Sequence, residues 1–381
     1  MKKSLVALAA LAAVAAHAQS SVQVYGLVDA GVRNDSKTAA APATGATGLT
    51  AFANGVLNTS RFGFKGTEDL GAGMKANFVL ESGFKPGTGA GSASLFDRRA
   101  AAGLSGDFGR VDLGRNTTFG YDITAGYVTD PLGQELTNNS TGALNKSWTV
   151  NPLGTIYSTN FTTVRRDNAV KYLGKFGDVS VGAAYALGGV AGASSANSST
   201  QVMVRYTGNG ADLAASYDDL QDKTAAGASA KHLKTMTVGG NYSFSGVKLT
   251  AGYTEQKADA GFTTDTGVLN GASATSIYAY VPTAVAATNG VKLTVSDVGV
   301  TYNFTPALNV VVAYYQTNAK ADAINSAKLN SAVVRARYAL SKQTDLYAAL
   351  DQTNSSGLAA ASASAKATND TGITAGVQVR F

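Results

Sequence analysis

Cysteine is absent from this 381-residue chain, histidine occurs twice, proline six times and tryptophan once, and only 15% of the residues are charged. Without cysteine there is no thiol nucleophile, no thiolate metal site and no disulfide framework. His17 lies in an N-terminal stretch that export would remove, and His232 sits in the charged, loop-like segment Lys231-His232-Leu233-Lys234. A mechanism that needs a histidine cluster is therefore excluded, and nothing sets a nucleophile beside a carboxylate base. Long apolar runs are missing as well. Val181 to Ala193 is broken by four glycines, and the uncharged stretch from Thr266 to Val291 is rich in Ser, Thr and Asn and interrupted by Pro282. A helix needs about 20 apolar residues to span a bilayer. There is no HExxH; Asp218-Asp219 with Asp222 could offer only weak oxygen ligation, and exposed acids of this kind are ordinarily just solvated. Gly87-Thr88-Gly89-Ala90-Gly91 lacks the third glycine and the following helix of a dinucleotide fingerprint. The reading is accordingly no enzyme, no cofactor and no metal. The formal charge of +6 includes Lys2 and Lys3 and is too mild to point to nucleic acid.

What is present begins with an export signal. Lys2 and Lys3 precede the apolar run Leu5 to Ala16 and the small-residue exit Ala16-His17-Ala18, so residues 1–18 read as a cleaved signal peptide and 19–381 as the mature domain. Period two then dominates. At the C-terminus Ile373, Ala375, Val377, Val379 and Phe381 share one face, with Thr374, Gly376, Gln378 and Arg380 on the other. The first mature strand sets Val22, Val24, Gly26, Val28, Ala30 and Val32 against Gln23, Tyr25, Leu27, Asp29, Gly31 and Arg33. Short turns near 66–73, 105–109, 174–178, 208–211, 244–246, 303–308 and 340–344 alternate with longer polar segments near 34–58, 85–94, 116–160, 188–200, 218–233, 257–290, 318–327 and 353–369. These connections divide the chain into sixteen strands. The fold class is all-β, a 16-stranded antiparallel transmembrane β-barrel, because lipid leaves no backbone group unpaired and closure removes sheet edges. An exported β-solenoid adhesin would show a fixed repeat, and there is none.

Several segments carry a family resemblance: Val24-Tyr25-Gly26; Ser60 to Gly71, SRFGFKGTEDLG; Phe78 to Phe84, FVLESGF; Arg98 to Leu104 with Phe108 to Arg115, FGRVDLGR; Tyr338 to Thr344, YALSKQT; and terminal Phe381. Over Val22 to Phe381 the chain resembles the Gram-negative general diffusion porins, and more narrowly their β-proteobacterial branch. The resemblance implies a homotrimer among outer-membrane lipids and lipopolysaccharide. It also implies a third loop, about 116–160, folded into the lumen as a constriction, and a terminal Phe381 read by the barrel-assembly machinery. Asp130-Pro131-Leu132-Gly133-Gln134-Glu135 stands where enterobacterial members have a proline-and-glutamate bend.

Parity assigns strand residues to lipid or lumen. With Phe62, Phe64, Phe78, Leu80, Val170, Tyr172, Val204, Tyr206, Val334, Ala336 and Tyr338 outward, the lumen receives Arg61, Lys65, Lys75, Arg165, Lys171, Arg205, Arg335 and Arg337. Arg380 joins them from the last strand, and family register adds Arg98. The inward acids are Asp29, Glu81, Asp345 and Asp351. The expected constriction loop brings Asp122, Asp130 and Glu135 with Tyr121, Tyr127 and Trp148, and by resemblance its acids face Arg61, Arg98 and Arg165 across the narrowest point. Tyr25, Phe62, Tyr172, Tyr242, Tyr302, Phe304 and Phe381 are expected in interfacial girdles. The function that follows is a passive channel for small hydrophilic solutes and ions, with a modest anion preference from its basic wall. The alternatives are a substrate-specific anion channel or an exported adhesin.

Overall fold

The computed structural model describes residues 21–38, 47–91, 94–137, 150–157, 164–222, 230–264, 267–268, 289–321, 326–357 and 369–381. The expected signal peptide and Trp148 lie outside them. The strands are β1 (Ser21–Thr38), β2 (Thr47–Asn54), β3 (Arg61–Gly71), β4 (Met74–Gly83), β5 (Arg99–Gly106), β6 (Gly109–Thr117), β7 (Arg165–Phe176), β8 (Val179–Ala186), β9 (Ser199–Gly208) and β10 (Ala211–Gln221). They continue with β11 (His232–Phe244), β12 (Val247–Ala258), the two-residue pair β13 (Thr263–Thr264) and β14 (Gly267–Val268), then β15 (Val291–Asn303), β16 (Leu308–Lys320), β17 (Ser326–Ala339), β18 (Thr344–Gly357) and β19 (Asn369–Arg380). Among the described residues two short helices, α1 (Phe119–Ala125) and α2 (Leu153–Ile156), lie between β6 and β7.

From β3 onward neighbouring strands pair antiparallel in chain order, with β12 pairing directly to β15 and the β13–β14 pair standing apart, and β1 closes on β19 with Val28 opposite Val379 and Arg33 opposite Thr374. Along β1 the two faces separate as alternation requires: Val22 is 64% exposed, whereas Asp29 and Arg33 are buried inside. The outward Val, Leu, Phe and Tyr side chains form the apolar belt of a membrane-spanning barrel. The sheet contains 17 hydrogen-bonded strands but sixteen staves, because β2 and β3 both pair with β1 and together make one.

The break in that stave has a local cause. Gly55 adopts φ +66°, and the Asp29 carboxylate accepts the N–H groups of Val56, Leu57 and Asn58, at 3.1, 3.0 and 3.0 Å, turning the chain inward before Arg61. Asp29 also accepts from Tyr347 on β18 and Gln378 on β19. The first loop is shorter than the sequence suggests, since β1 runs to Thr38 and β2 starts at Thr47. Polar residues such as Asn34 and Thr50 look like loop residues but continue the ladder, their side chains bonded to each other at 2.7 Å.

A second departure concerns the inner face. On β15 to β17 the inward positions include Leu293, Val295, Val311, Ala313, Leu329 and Val333, all buried. They form a core with Leu132, Leu136, Leu153 and Ile156 from the segment between β6 and β7. A uniformly polar lining is expected only where water touches the wall; here the inserted chain covers it. Tyr25 also differs from its expected girdle place. Its hydroxyl donates to Glu81 inside the barrel at 3.1 Å, with the Lys65 ammonium 5.0 Å from its ring. Tyr242, Tyr302, Phe304 and Phe381 are exposed on the outer face.

Candidate constriction site

The segment after β6 enters the lumen at Thr118, whose hydroxyl accepts the Tyr121 N–H and caps α1. Lys171 on β7 bonds the Asp122 carboxylate and the Thr117 carbonyl, fixing the helix to the wall. Beyond α1 the backbone of 127–131 lies against a bare patch made by Gly239, Gly252 and Gly299 on β11, β12 and β15. A Cβ at Gly252 would stand 2.0 Å from the Thr129 carbonyl oxygen, and one at Gly299 would stand 2.4 Å from Pro131 Cβ. Only glycine permits that approach. Asn241 on β11 donates from Nδ2 to the Tyr127 and Val128 carbonyls, at 3.1 and 3.2 Å.

The loop acids serve as anchors. Asp130 is fully buried and accepts from Leu132 N, Gln134 N, Asn151 Nδ2 and, at 2.7 Å, the Tyr315 hydroxyl of β16. Burial pushes its carboxyl up, and these four donors oppose the shift by holding the anion. Glu135 accepts from Arg335 Nε at 2.7 Å and from the Tyr127 hydroxyl at 2.8 Å, and lies 3.9 Å from Arg337. Burial and the neighbouring Glu135 charge push the Tyr127 hydroxyl up, so it remains a donor. The Leu136 N–H reaches the Val56 carbonyl at 2.7 Å, tying the inserted segment to the broken stave.

These contacts correct the expected opposition between loop acids and arginines. Asp130 and Glu135 bind β16 and β17, and Asp122 binds Lys171; none is paired with Arg61, Arg98 or Arg165. A buried carboxylate must be compensated by nearby donors, and the wall behind the loop supplies them. What meets the three arginines is Tyr121, with Arg165 Cζ 6.0 Å from its ring centroid. Arg98 lies close enough to Arg61 and to Arg165 for mutual repulsion. Glu81 takes Arg98 Nε at 2.7 Å and sits 3.9 Å from Arg61. Arg165 has no carboxylate within ion-pair distance among the described residues; Asp97, whose carboxylate takes the Gly83 N–H, acts on Arg98 and Arg165 only through its field, so three guanidinium groups stand against two acids.

Elsewhere the basic wall is mostly compensated. Arg205 holds Asp212 through two bonds of 2.7 and 2.6 Å, and Arg380 pairs with Asp345. Lys65 and Lys75 are exposed near the short-turn rim, and Arg335 is inward but only 2% exposed beneath the loop. The register brings further cations to the lumen. Arg33 clamps Asp351 and Asp35, Arg166 pairs with Asp218, Arg99 and Arg110 share Asp112, and Lys248 stands over the Tyr127 ring at 5.3 Å. Parity alone makes Lys248 legible as inward, since it lies between the apolar Val247 and Leu249. Arg99 rather than Arg98 takes the lumen position of β5, opposite Glu81. Arg98 enters from the bend before the strand.

Comparison with known proteins agrees with this geometry. A family model described as Gram-negative porin matches residues 4–358. The chain is similar to outer membrane porin protein 32 of Delftia acidovorans, at 34% identity over 260 residues, covering 65% of this chain and 68% of that protein. Among solved structures it is similar to the anion-selective porin from Comamonas acidovorans, with a TM-score of 0.70 and 23% identity over 95% of this chain and 100% of that one. It is also similar to OmpT of Vibrio cholerae in its trimer form, with a TM-score of 0.64 and 13% identity over 95% and 99% of the two chains.

Proposed function

Because the chain belongs to the Gram-negative porin family, and so is a passive outer-membrane channel for small hydrophilic solutes and ions, we propose that Arg61, Arg98 and Arg165 give its passage an anion preference. The family consists of channels rather than enzymes. The observation that carries the reading is the charge shortage around Glu81: three guanidinium groups face Glu81 and the more distant Asp97, whereas most other wall cations have an acid each. In a confined aqueous path such unbalanced charge favours anions at short range and is only partly screened. The similar Comamonas acidovorans porin is itself anion-selective. In this reading Asp122, Asp130 and Glu135 do not tune the ion path; with Lys171 and Arg335 they hold the constriction loop on the wall. The test is the reversal potential of the purified protein in a planar bilayer under a salt gradient. A potential on the anion side is expected, and one on the cation side overturns the proposal.

The proposal extends to assembly. Met1 to Ala18 are removed on export, and the mature chain forms a homotrimer in contact with outer-membrane lipids and lipopolysaccharide, as supported by the apolar outer belt and the likeness to OmpT in its trimer form. Phe381 is the residue read by the barrel-assembly machinery. Its backbone exchanges two hydrogen bonds with Gly26, at 3.0 and 3.1 Å, and its ring lies against the Gly26 backbone on the closing seam. Deleting Phe381 is expected to sharply reduce the heat-modifiable, folded form in outer-membrane fractions, while Phe381→Tyr retains it. Unchanged insertion of the deletion variant would contradict this role.

A further inference from the structure

Below the constriction loop, towards the short-turn end of the lumen, lies a cavity of about 320 Å³ lined by Tyr127, Lys248, Thr301, Asn309, Arg335 and Arg337 among others. Lys248 is two residues past the turn glycine Gly246, Asn309 follows the turn from β15 to β16, and Arg337 precedes the turn from β17 to β18. The pocket thus opens on a different part of the path from the Arg61, Arg98 and Arg165 cluster, which belongs to β3, β7 and the bend before β5.

The cavity's charges do not balance. Glu135 is its nearest acid and is engaged at 2.7 Å by Arg335 and at 2.8 Å by the Tyr127 hydroxyl; Arg337 reaches it only at 3.9 Å. The other carboxylates whose fields reach Lys248 are Asp130 and Asp212. Asp130 already accepts four donors, and Asp212 is held by both arms of Arg205. Lys248 has no carboxylate partner among the described residues; it is steadied by the Tyr127 ring face at 5.3 Å. The Thr301 hydroxyl is buried and without a hydrogen-bond partner. Lys248, Arg335 and Arg337 thus stand against the single carboxylate of Glu135, and this excess of positive charge beside an unused hydroxyl donor suits an occupant with two negative charges and several acceptor oxygens.

We infer that this pocket is a second anion station, binding small divalent oxyanions such as hydrogen phosphate or short dicarboxylates after they pass the arginine cluster. The inference rests on the anion-preferring reading of the pore and adds to it a site that binds rather than merely attracts. A charged solute crosses such a channel through successive weak sites, each strong enough to admit it and weak enough to release it.

The test uses inorganic phosphate as the probe, at a pH where the dianion predominates, titrated against the chloride current of single reconstituted channels. A saturable block is expected in the wild type. Lys248→Gln is expected to raise the half-blocking concentration about tenfold or more, and Lys248→Arg to keep it near the wild-type value. Block is read as a fraction of each variant's own open current, and heat-modifiable migration establishes that each variant is folded. If Lys248→Gln does not fold, Arg337→Gln gives the same reading. Phosphate that never saturates, or a block unchanged in Lys248→Gln, overturns the inference. A block abolished by Arg61→Gln but kept in Lys248→Gln assigns binding to the arginine cluster and overturns it too. The reversal potential in chloride alone is the separate test of the anion preference, so either reading can fail while the other stands.

Discussion

Arg61→Glu is expected to move the reversal potential towards cations, with a change in the anion-to-cation permeability ratio on the order of tenfold. The size follows from Coulomb's law. A unit charge about 5 Å from the ion path contributes about 0.8 kcal/mol at the dielectric constant of water, and the substitution alters the charge by two. The effects on anions and cations are opposite in sign, while salt removes part of each. Arg61 is the informative member of its cluster because it is 20% exposed and only loosely paired with Glu81, at 3.9 Å. Arg98, by contrast, spends its Nε–H on Glu81 at 2.7 Å and is almost fully covered. A neutralising Arg98 variant therefore frees Glu81 to turn to Arg61, and its effect on selectivity is expected to be smaller. Reversal potentials of the two variants, measured at the same salt gradient, check both the direction and the order.

The second large effect concerns the bare patch under the loop. In Gly252→Ala the new methyl would sit 2.0 Å from the Thr129 carbonyl oxygen and 2.7 and 2.9 Å from the Asp297 carboxylate oxygens. No rotamer can relieve a clash made by Cβ itself, so the loop backbone must lift away from β12. Overpacking of this kind costs about 1–3 kcal/mol, which corresponds to about five- to 150-fold more time spent undocked. The loop lies between the wall and the lumen, so lifting it moves it into the passage. The expected result is a lower mean conductance with frequent partial closures in single-channel records. Gly91→Ala is the control, since a methyl there meets nothing within 4 Å. Equal, quiet traces from the two variants would show that the patch does not seat the loop.

Period two made most of the fold legible. The staves, the short turns and the inward placement of Arg61, Arg165, Arg335 and Arg337 all follow from parity, because one face of each strand meets lipid and the other does not. Parity failed where no lipid contrast exists. Ala100, Ala101 and Ala102 suit either face, and only pairing with Glu81 separates Arg98 from Arg99. It also failed beyond the membrane, where both faces of β1 and β2 are wet and a polar run hides a strand. The loop acids were unreadable for another reason. Asp130 meets Tyr315 across 185 residues and Glu135 meets Arg335 across 200, and no local pattern encodes a pairing of that separation. Sequence could supply the acids and the arginines; their matching depends on which part of the wall the loop lies against. Parity makes every inward cation equal, whereas the structure leaves the acid shortage in two places, around Arg165 and around Lys248.

Asp29 joins parts of the chain that meet only where the sheet closes on itself. Its carboxylate takes Tyr347 from β18, Gln378 from β19 and the three N–H groups of the broken stave, and the carbonyl of Val56 in that stave is where Leu136 of the inserted loop docks. Until the first and last strands have zipped together, the far end of the loop has no finished surface to land on. Narrowing of the channel is thereby coupled to completion of the cylinder, so that a molecule stalled with its seam open would be an unregulated leak, and sieving begins only when the circle is whole.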